Sequence, residues 1–190
     1  MRDRLLQLIP EFDLIEDTEL REKTLQVWKA AMDRGGWTPD ALAEMPFTLL
    51  FNPCPASYIE HIRAVTLTAL RAAEVFAQIY GDRVPINRDY LISGGLLHDI
   101  GKLLEYENRD DGMTVQTRYG RLIRHPFSGA ALAAEFGLPE DVMHMIAAHA
   151  GEGEKIKRTA EATLINKADF MSFESLRDLQ VKKELAAKLG

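Results

Sequence analysis

The sequence predicts an all-α protein, on three observations. Apolar residues recur at helical spacing along most of its 190 residues. The breaks between those runs carry cap and stop residues. Only the stretch from Glu105 to Arg124 departs from the helical period.

Taken in order, Thr18 would cap ELREKTLQVWKAAMDR, which sets Leu20, Val27 and Ala31 on one face and ends at Gly35-Gly36. Thr38-Pro39 starts a short helix, because proline suits the first turn. Phe47 to Pro55 is too proline-rich for regular structure and reads as a linker. Ser57 and Glu60 form an S-x-x-E capping box at the head of a long helix to about Tyr80, stopped by Gly81. A further helix is expected over Arg88 to Ile100, with Gly101 ending or bending it. Asp110-Asp111-Gly112 and Tyr119-Gly120 are turn signals flanking Thr114-Val115-Gln116-Thr117, so a small β-hairpin is expected there. Helices resume over Pro126–Phe136, capped by Gly137, and over Pro139–His149. The loop AGEGEKIKR leads to a helix over Thr159–Phe173 and a last amphipathic helix over Glu174–Leu189. The expected division is a helical N-terminal extension over residues 1–55 and a helical domain over residues 56–190. Trp28, on the apolar face of TLQVWKAAM, favours packing of the extension on the domain; a lid over a cleft and a homodimer contact are the alternatives.

A chain of this size buries roughly 70% of its unfolded surface, so a core forms without staples. The single cysteine, Cys54, excludes an internal disulfide framework and any site needing two thiolates. No apolar run reaches about 18 residues, and MRDRLLQLIPEFD lacks the apolar stretch of a secretory signal. No membrane partner and a cytoplasmic location are therefore expected. The net charge of −6, from 23 basic and 29 acidic residues, argues against an extended nucleic-acid interface but leaves room for a small basic phosphate pocket.

The chemistry starts at Leu96-Leu97-His98-Asp99-Ile100-Gly101-Lys102, where a histidine and an aspartate sit inside an apolar segment. A buried carboxylate costs several kcal/mol unless compensated, and a divalent metal compensates strongly. Alone, His98-Asp99 would read as a local pair. The other histidines change that reading. His61 lies one turn into the capped helix on an apolar face; His125 precedes a proline at a helix start; His149 ends an Ala/Ile/Met face. Asp169 shares the apolar face of Ile165, with no arginine three or four residues before it. One explanation serves all of these: they converge on one or two metal ions. Imidazole and carboxylate ligands without thiolate suit Fe, Mn, Ni, Zn or Co. His144, five residues from His149, points away from it, and Cys54 reads as structural.

The order His61, His98-Asp99, Asp169 resembles the HD-domain superfamily of metal-dependent phosphohydrolases, and HDIGK is a typical form of that family's central motif. The resemblance covers about residues 57 to 175 and implies an HD-domain helical bundle. By it, His61, His98, Asp99 and Asp169 would hold one metal, and Asp99 would bridge to a second held by His125 and His149. His149-Ala150 followed by GEGE departs from the paired histidines or His-Ser of many dinuclear members, and the Gly-Tyr-Pro signature of the members acting on cyclic dinucleotides is not found after Lys155.

Such metals would acidify a bound water toward about pH 7 and hold a phosphate ester between them. Asp99 and Lys102 are the candidate catalytic residues: Lys102 lies one turn from His98 and Asp99 and would bind a phosphoryl oxygen or assist the leaving group. The alternative is a lysine that only completes a helix end. Arg118, Arg121 and Arg124, directly before His125, are candidate substrate-binding residues; their other reading is a solvated hairpin edge. The expected activity is hydrolysis of a phosphomonoester, a phosphodiester or a dinucleoside polyphosphate, and the expected partner a phosphorylated small molecule such as a nucleotide. The rival readings are a di-iron oxygenase of the same fold cleaving a C–C or C–P bond, and a non-catalytic ligand-binding module.

Overall fold

The computed structural model describes residues 2–189. Its helices are α1 (Arg2–Leu8), α2 (Thr18–Gly35), α3 (Pro39–Glu44), α4 (Tyr58–Tyr80), α5 (Arg88–Leu97), α6 (Lys102–Glu105), α7 (Arg118–Leu122), α8 (His125–Glu135), α9 (Glu140–Ala148) and α10 (Ala160–Leu189). The antiparallel strands β1 (Tyr106–Asn108) and β2 (Thr114–Gln116) pair Tyr106 with Gln116 and Asn108 with Thr114. Gly112 turns the hairpin at φ +79°, a conformation only glycine adopts cheaply.

The centre is made by α4, α5, α9 and α10, whose inward faces bury Ile62, Val65, Leu91, Leu96, Val142, Ile146 and Ile165 completely. The capping box read at Ser57 and Glu60 is present on both sides: Ser57 Oγ accepts from Glu60 N and Glu60 Oε2 from Ser57 N. Residues before 55 belong to the same continuous core. Trp28 is fully buried, meets Phe12 and Tyr58 with ring centroids 6.1 and 5.8 Å away, and donates from Nε1 to Leu96 O at 3.0 Å. Trp37 Nε1 donates to Leu103 O at 2.9 Å. The two indoles thus fasten α2 and its following loop to the backbone on either side of HDIGK.

Four local readings change. Asp17, not Thr18, caps α2: its Oδ1 accepts from Glu19 N and Leu20 N, and Asp89 in turn accepts from Asp17 N. The helix of the central motif ends at Leu97 rather than Ile100, because residues 98–103 tighten into i→i+3 bonds such as Lys102 N to Asp99 O at 2.8 Å. Tyr119-Gly120 lies inside α7 instead of a turn, since Thr117 Oγ1 accepts from Gly120 N and caps it. The two expected C-terminal helices are one, α10, because nothing between Ala160 and Leu189 is glycine or proline. The side chains of residue 180 and of every residue after 182, and with them the amphipathic face read there, lie outside the described residues. Among the described residues no helix is long and apolar enough to cross a membrane.

Candidate metal centre

His61 enters from the first turn of α4, His98 and Asp99 from the tight turn after α5, His125 from the head of α8, His149 from the end of α9 and Asp169 from α10. Five elements therefore deliver six side chains to one place. Five of the six are almost wholly buried, and Asp169 is 17% exposed.

Asp99 stands in the middle and divides the others. Its Oδ1 lies 3.1 Å from His125 Nε2 and 3.4 Å from His149 Nε2. Its Oδ2 lies 3.4 Å from His61 Nε2 and 3.6 Å from His98 Nε2. Asp169 Oδ1 is 3.1 Å from His61 Nε2 and extends that second group. The two groups, His61-His98-Asp99 and Asp99-His125-His149, share only Asp99, and each has a ligand-atom spread suited to one ion.

Hydrogen bonding on the far side of each ring decides what points inward. His98 Nδ1 faces Gly95 O at 2.6 Å and His149 Nδ1 faces Ile146 O at 2.7 Å. A carbonyl only accepts, so both Nδ1 atoms carry the proton and both Nε2 atoms of the neutral rings carry lone pairs. His125 Nδ1 donates to Glu105 Oε2 at 2.9 Å with the same result. His61 Nδ1 lies 3.2 Å from Ser172 Oγ. Nε2 atoms consequently face one another at 3.4 Å between His61 and His98 and at 3.3 Å between His125 and His149.

Charge favours a cation at the same points. Burial drives the His98 imidazolium down to about 3 and pushes that of His125 below its ordinary value. Burial opposes the charged forms of His61 and His149 too, but hydrogen bonds to Asp169 and Asp99 in the first case, and to Asp99 in the second, lift both above the ordinary value. Desolvation works against the Asp99 charge, yet Lys102 and the surrounding histidines hold its carboxyl well below the usual carboxylate range. Asp99 Oδ2 is buried and accepts no hydrogen bond of normal geometry, although Lys102 Nζ ion-pairs with it at 2.6 Å. A buried carboxylate oxygen whose ion-pair partner is the Lys102 ammonium, set among inward imidazole lone pairs, fits a divalent ion of the imidazole- and carboxylate-binding kind.

Gly101 sets how closely the two halves approach. A Cβ at this position would run into His125 O and lie 2.6 Å from Ser128 Oγ and 2.8 Å from His125 Cα. Gly101→Ala is expected to push the head of α8 outward, costing about 1–3 kcal/mol, or about 2–4 °C of Tm per kcal/mol in a chain of this size. A metal titration read beside the melting curve should show weaker binding at His125-His149 alone.

A basin of about 330 Å³ opens over the group, lined by His61, Asp99, Lys102, His125 and Asp169 on its floor. Lys102 is 8% exposed and donates to Phe47 O at 2.7 Å, so its ammonium is committed inward as much as toward the basin. Of the three arginines, only Arg124 lines the basin. Arg118 and Arg121 lie on the outer side of α7, exposed, with Arg121 Nη1 donating to Gln116 O at 2.9 Å. His144 accepts from Thr159 N, apart from the group, and Cys54 Sγ bonds Ala56 O.

Sequence reasoning missed Glu105, the most connected side chain beside the group. It is 1% exposed; Oε2 accepts from both N and Nδ1 of His125, and Oε1 accepts from Gln116 Nε2 and from Arg124 Nη1. Phe47, whose ring stacks on His61 at 4.6 Å, was missed as well.

The HD-domain family model matches residues 58–173, a span from the first residue of α4 that takes in all six side chains. The chain is 30% identical over 175 residues to the dihydroneopterin 2',3'-cyclic phosphate phosphodiesterase of Methanocaldococcus jannaschii, covering 88% of this chain and 67% of that protein. It is 38% identical over 87 residues to the ribonuclease Y of Thermotoga maritima, covering 46% of this chain and 14% of the ribonuclease. With the ribonuclease Y of Acidothermus cellulolyticus the identity is 37% over 105 residues, 55% of this chain and 17% of that one. The chain thus spans two thirds of the archaeal enzyme and only a small part of the ribonucleases. No solved structure matches.

Proposed function

The chain belongs to the HD-domain family of metal-dependent phosphohydrolases, and from that premise we propose that it hydrolyses a small phosphodiester at a dinuclear centre. His61, His98, Asp99 and Asp169 would hold one divalent ion, and Asp99, His125 and His149 the other. The observation that carries this reading is the division of Asp99: each carboxylate oxygen faces its own pair of histidines. The ions, when bound, supply Lewis acidity and a water whose pKa falls toward about 7.

The protein's own groups do the rest. Asp99 and Asp169 supply the negative charge that retains the cations, and the neutral rings of His98 and His125 add none to oppose it. Lys102 has three N–H groups; one serves Phe47 O and one faces Asp99, which leaves the third for a phosphoryl oxygen at the basin floor. Water adds to phosphorus, one ester P–O bond breaks, and a proton passes to the departing alkoxide. Arg124, 43% exposed at the rim and paired with Glu105 and Glu152, contributes to anion steering. Arg118 and Arg121, exposed on the outer side of α7, add only positive charge beyond the rim. The phosphate-ester substrate follows from the family; a 2',3'-cyclic phosphate on a heterocycle-bearing polyol is the member of that class supported by the archaeal relative.

The test is metal content and turnover together. Protein purified without oxygen is expected to take up two equivalents of Mn²⁺ or Fe²⁺ and to convert 2',3'-cyclic AMP to a monoester anaerobically. Saturation at about 100 times Kd should add about 2.7 kcal/mol to stability for each site filled. Strict dependence of turnover on O₂, or metal uptake well below one equivalent, would overturn the reading.

A further inference from the structure

The hydrolytic reading uses the floor of the basin and leaves its two walls unexplained. One wall is polar, and much of its hydrogen bonding is turned onto neighbouring carboxylates. Gln116 Nε2 donates to Glu105 Oε1, and Arg124 is paired with both Glu105 and Glu152. The opposite wall is apolar and open. Leu49 and Leu50, from the irregular segment before α4, face the cavity together with Phe170 and Phe173 of α10. Leu50 is 78% and Phe170 38% exposed.

This wall is built, not loose. Phe51 stacks on Phe173 with centroids 5.1 Å apart and planes 27° apart. Phe47 meets both rings, at 5.9 and 6.3 Å, and its other side stacks on His61 at 4.6 Å. A continuous aromatic path therefore runs from the rim to an imidazole on the floor. Along α10 the wall begins at Phe170, the residue after Asp169, so it starts where the floor ends. A phosphate ester seated on the floor must send its other end along one of these walls. The polar wall turns Gln116 and two nitrogens of Arg124 onto Glu105 and Glu152, whereas the apolar wall has surface that gains by being covered. Aromatic faces add a preference for flat rings in offset or edge-on packing.

We infer that Leu49, Leu50, Phe170 and Phe173 form a subsite for a flat heterocyclic or aryl group on the ester, and so determine specificity at this centre. The inference rests on the hydrolase reading for the position of the phosphate.

The experiment compares 2',3'-cyclic AMP with glycerol 1,2-cyclic phosphate, which has the same five-membered cyclic phosphate and no ring system beyond it. Mn²⁺-loaded protein is expected to favour the nucleotide in kcat/KM by at least about tenfold. In Phe170→Ala and in Leu50→Ser, changes at exposed positions, that ratio should fall about three- to tenfold for each side chain removed, through KM for the nucleotide and not kcat. Calorimetric binding of AMP, run on the same proteins, should weaken by the same factor. An equal preference for the two substrates, or a ratio unmoved by either variant, overturns the inference while leaving the hydrolase reading intact. If neither compound turns over, the hydrolase reading fails; AMP binding that still depends on Phe170 then sustains the subsite, and AMP binding indifferent to it overturns the subsite too. Self-association that Leu50→Ser abolishes would also overturn it, by showing a second chain on the wall.

Discussion

Asp99→Asn is expected to empty both halves of the centre at once. The two residues have the same shape, so the turn at 98–101 and the packing around it persist. What changes is charge and the identity of one atom. Asp99 presents an acceptor oxygen to each histidine pair, at 3.1–3.4 Å on one side and 3.4–3.6 Å on the other. An amide keeps one acceptor and turns an N–H₂ group toward the other pair, where it would repel a cation. The loss of binding should exceed the roughly 10–100-fold that follows removal of a group merely supporting a ligand. Metal content is expected to fall from two equivalents to background in elemental analysis. Turnover should fall by at least about a thousandfold, the upper end of what losing one transition-state contact costs. Circular dichroism should remain that of the parent. A variant that keeps either ion at full occupancy would refute the sharing of Asp99.

The second large effect is expected from Glu105→Gln, and it should be confined to one half. Glu105 uses both oxygens: Oε2 takes two N–H groups of His125 and Oε1 takes Gln116 and Arg124. A glutamine has one acceptor, so whichever way its amide turns, an N–H₂ group meets donors. A buried donor left unmatched costs about 1–3 kcal/mol. The His125 ring then loses the partner that fixes its orientation and keeps the proton on Nδ1. Affinity at His125-His149 should drop about 10–100-fold. Titration with Mn²⁺ should accordingly pass from two tight equivalents to one, with His61, His98 and Asp169 unaffected. Gln116→Leu, which disturbs only the Oε1 side, is the comparison: it should keep both equivalents. Two tight equivalents in Glu105→Gln would show that His125 is oriented by its backbone alone.

Much of the architecture was legible because it is written in local rules. The box at Ser57 and Glu60, the stop at Gly137 and the apolar stripe through Trp28 each involve residues within a turn or two of one another, and each is found where it was read. His61, His98, His125, His149 and Asp169 stood out because polar side chains on apolar faces need a partner, and the fold brings the four histidines to Asp99 and Asp169 to His61. Glu105 did not stand out. It sits among ordinary charged residues in KLLEYEN, and its burial comes from Gly120, where any side chain would strike Glu105 Cγ at 2.5 Å. That contact joins residues 15 apart through a hairpin and a short helix, and no spacing rule encodes it. Phe47 was opaque for a similar reason: its segment has no period, so nothing local says which way the ring faces. The arginines show the opposite failure. Their clustering in sequence was plain, but α7 turns Arg118 and Arg121 outward and leaves only Arg124 at the rim.

The indole hydrogen bonds to Leu96 O and Leu103 O have a spectroscopic consequence. The chain has only two tryptophans, and these carbonyls lie two residues before His98 and one residue after Lys102. All of its tryptophan emission therefore originates from rings hydrogen-bonded to the peptide frame of HDIGK. Any event that loosens that frame exposes an indole to water and shifts the emission to the red, so the protein carries its own optical gauge of the centre, without label or substrate.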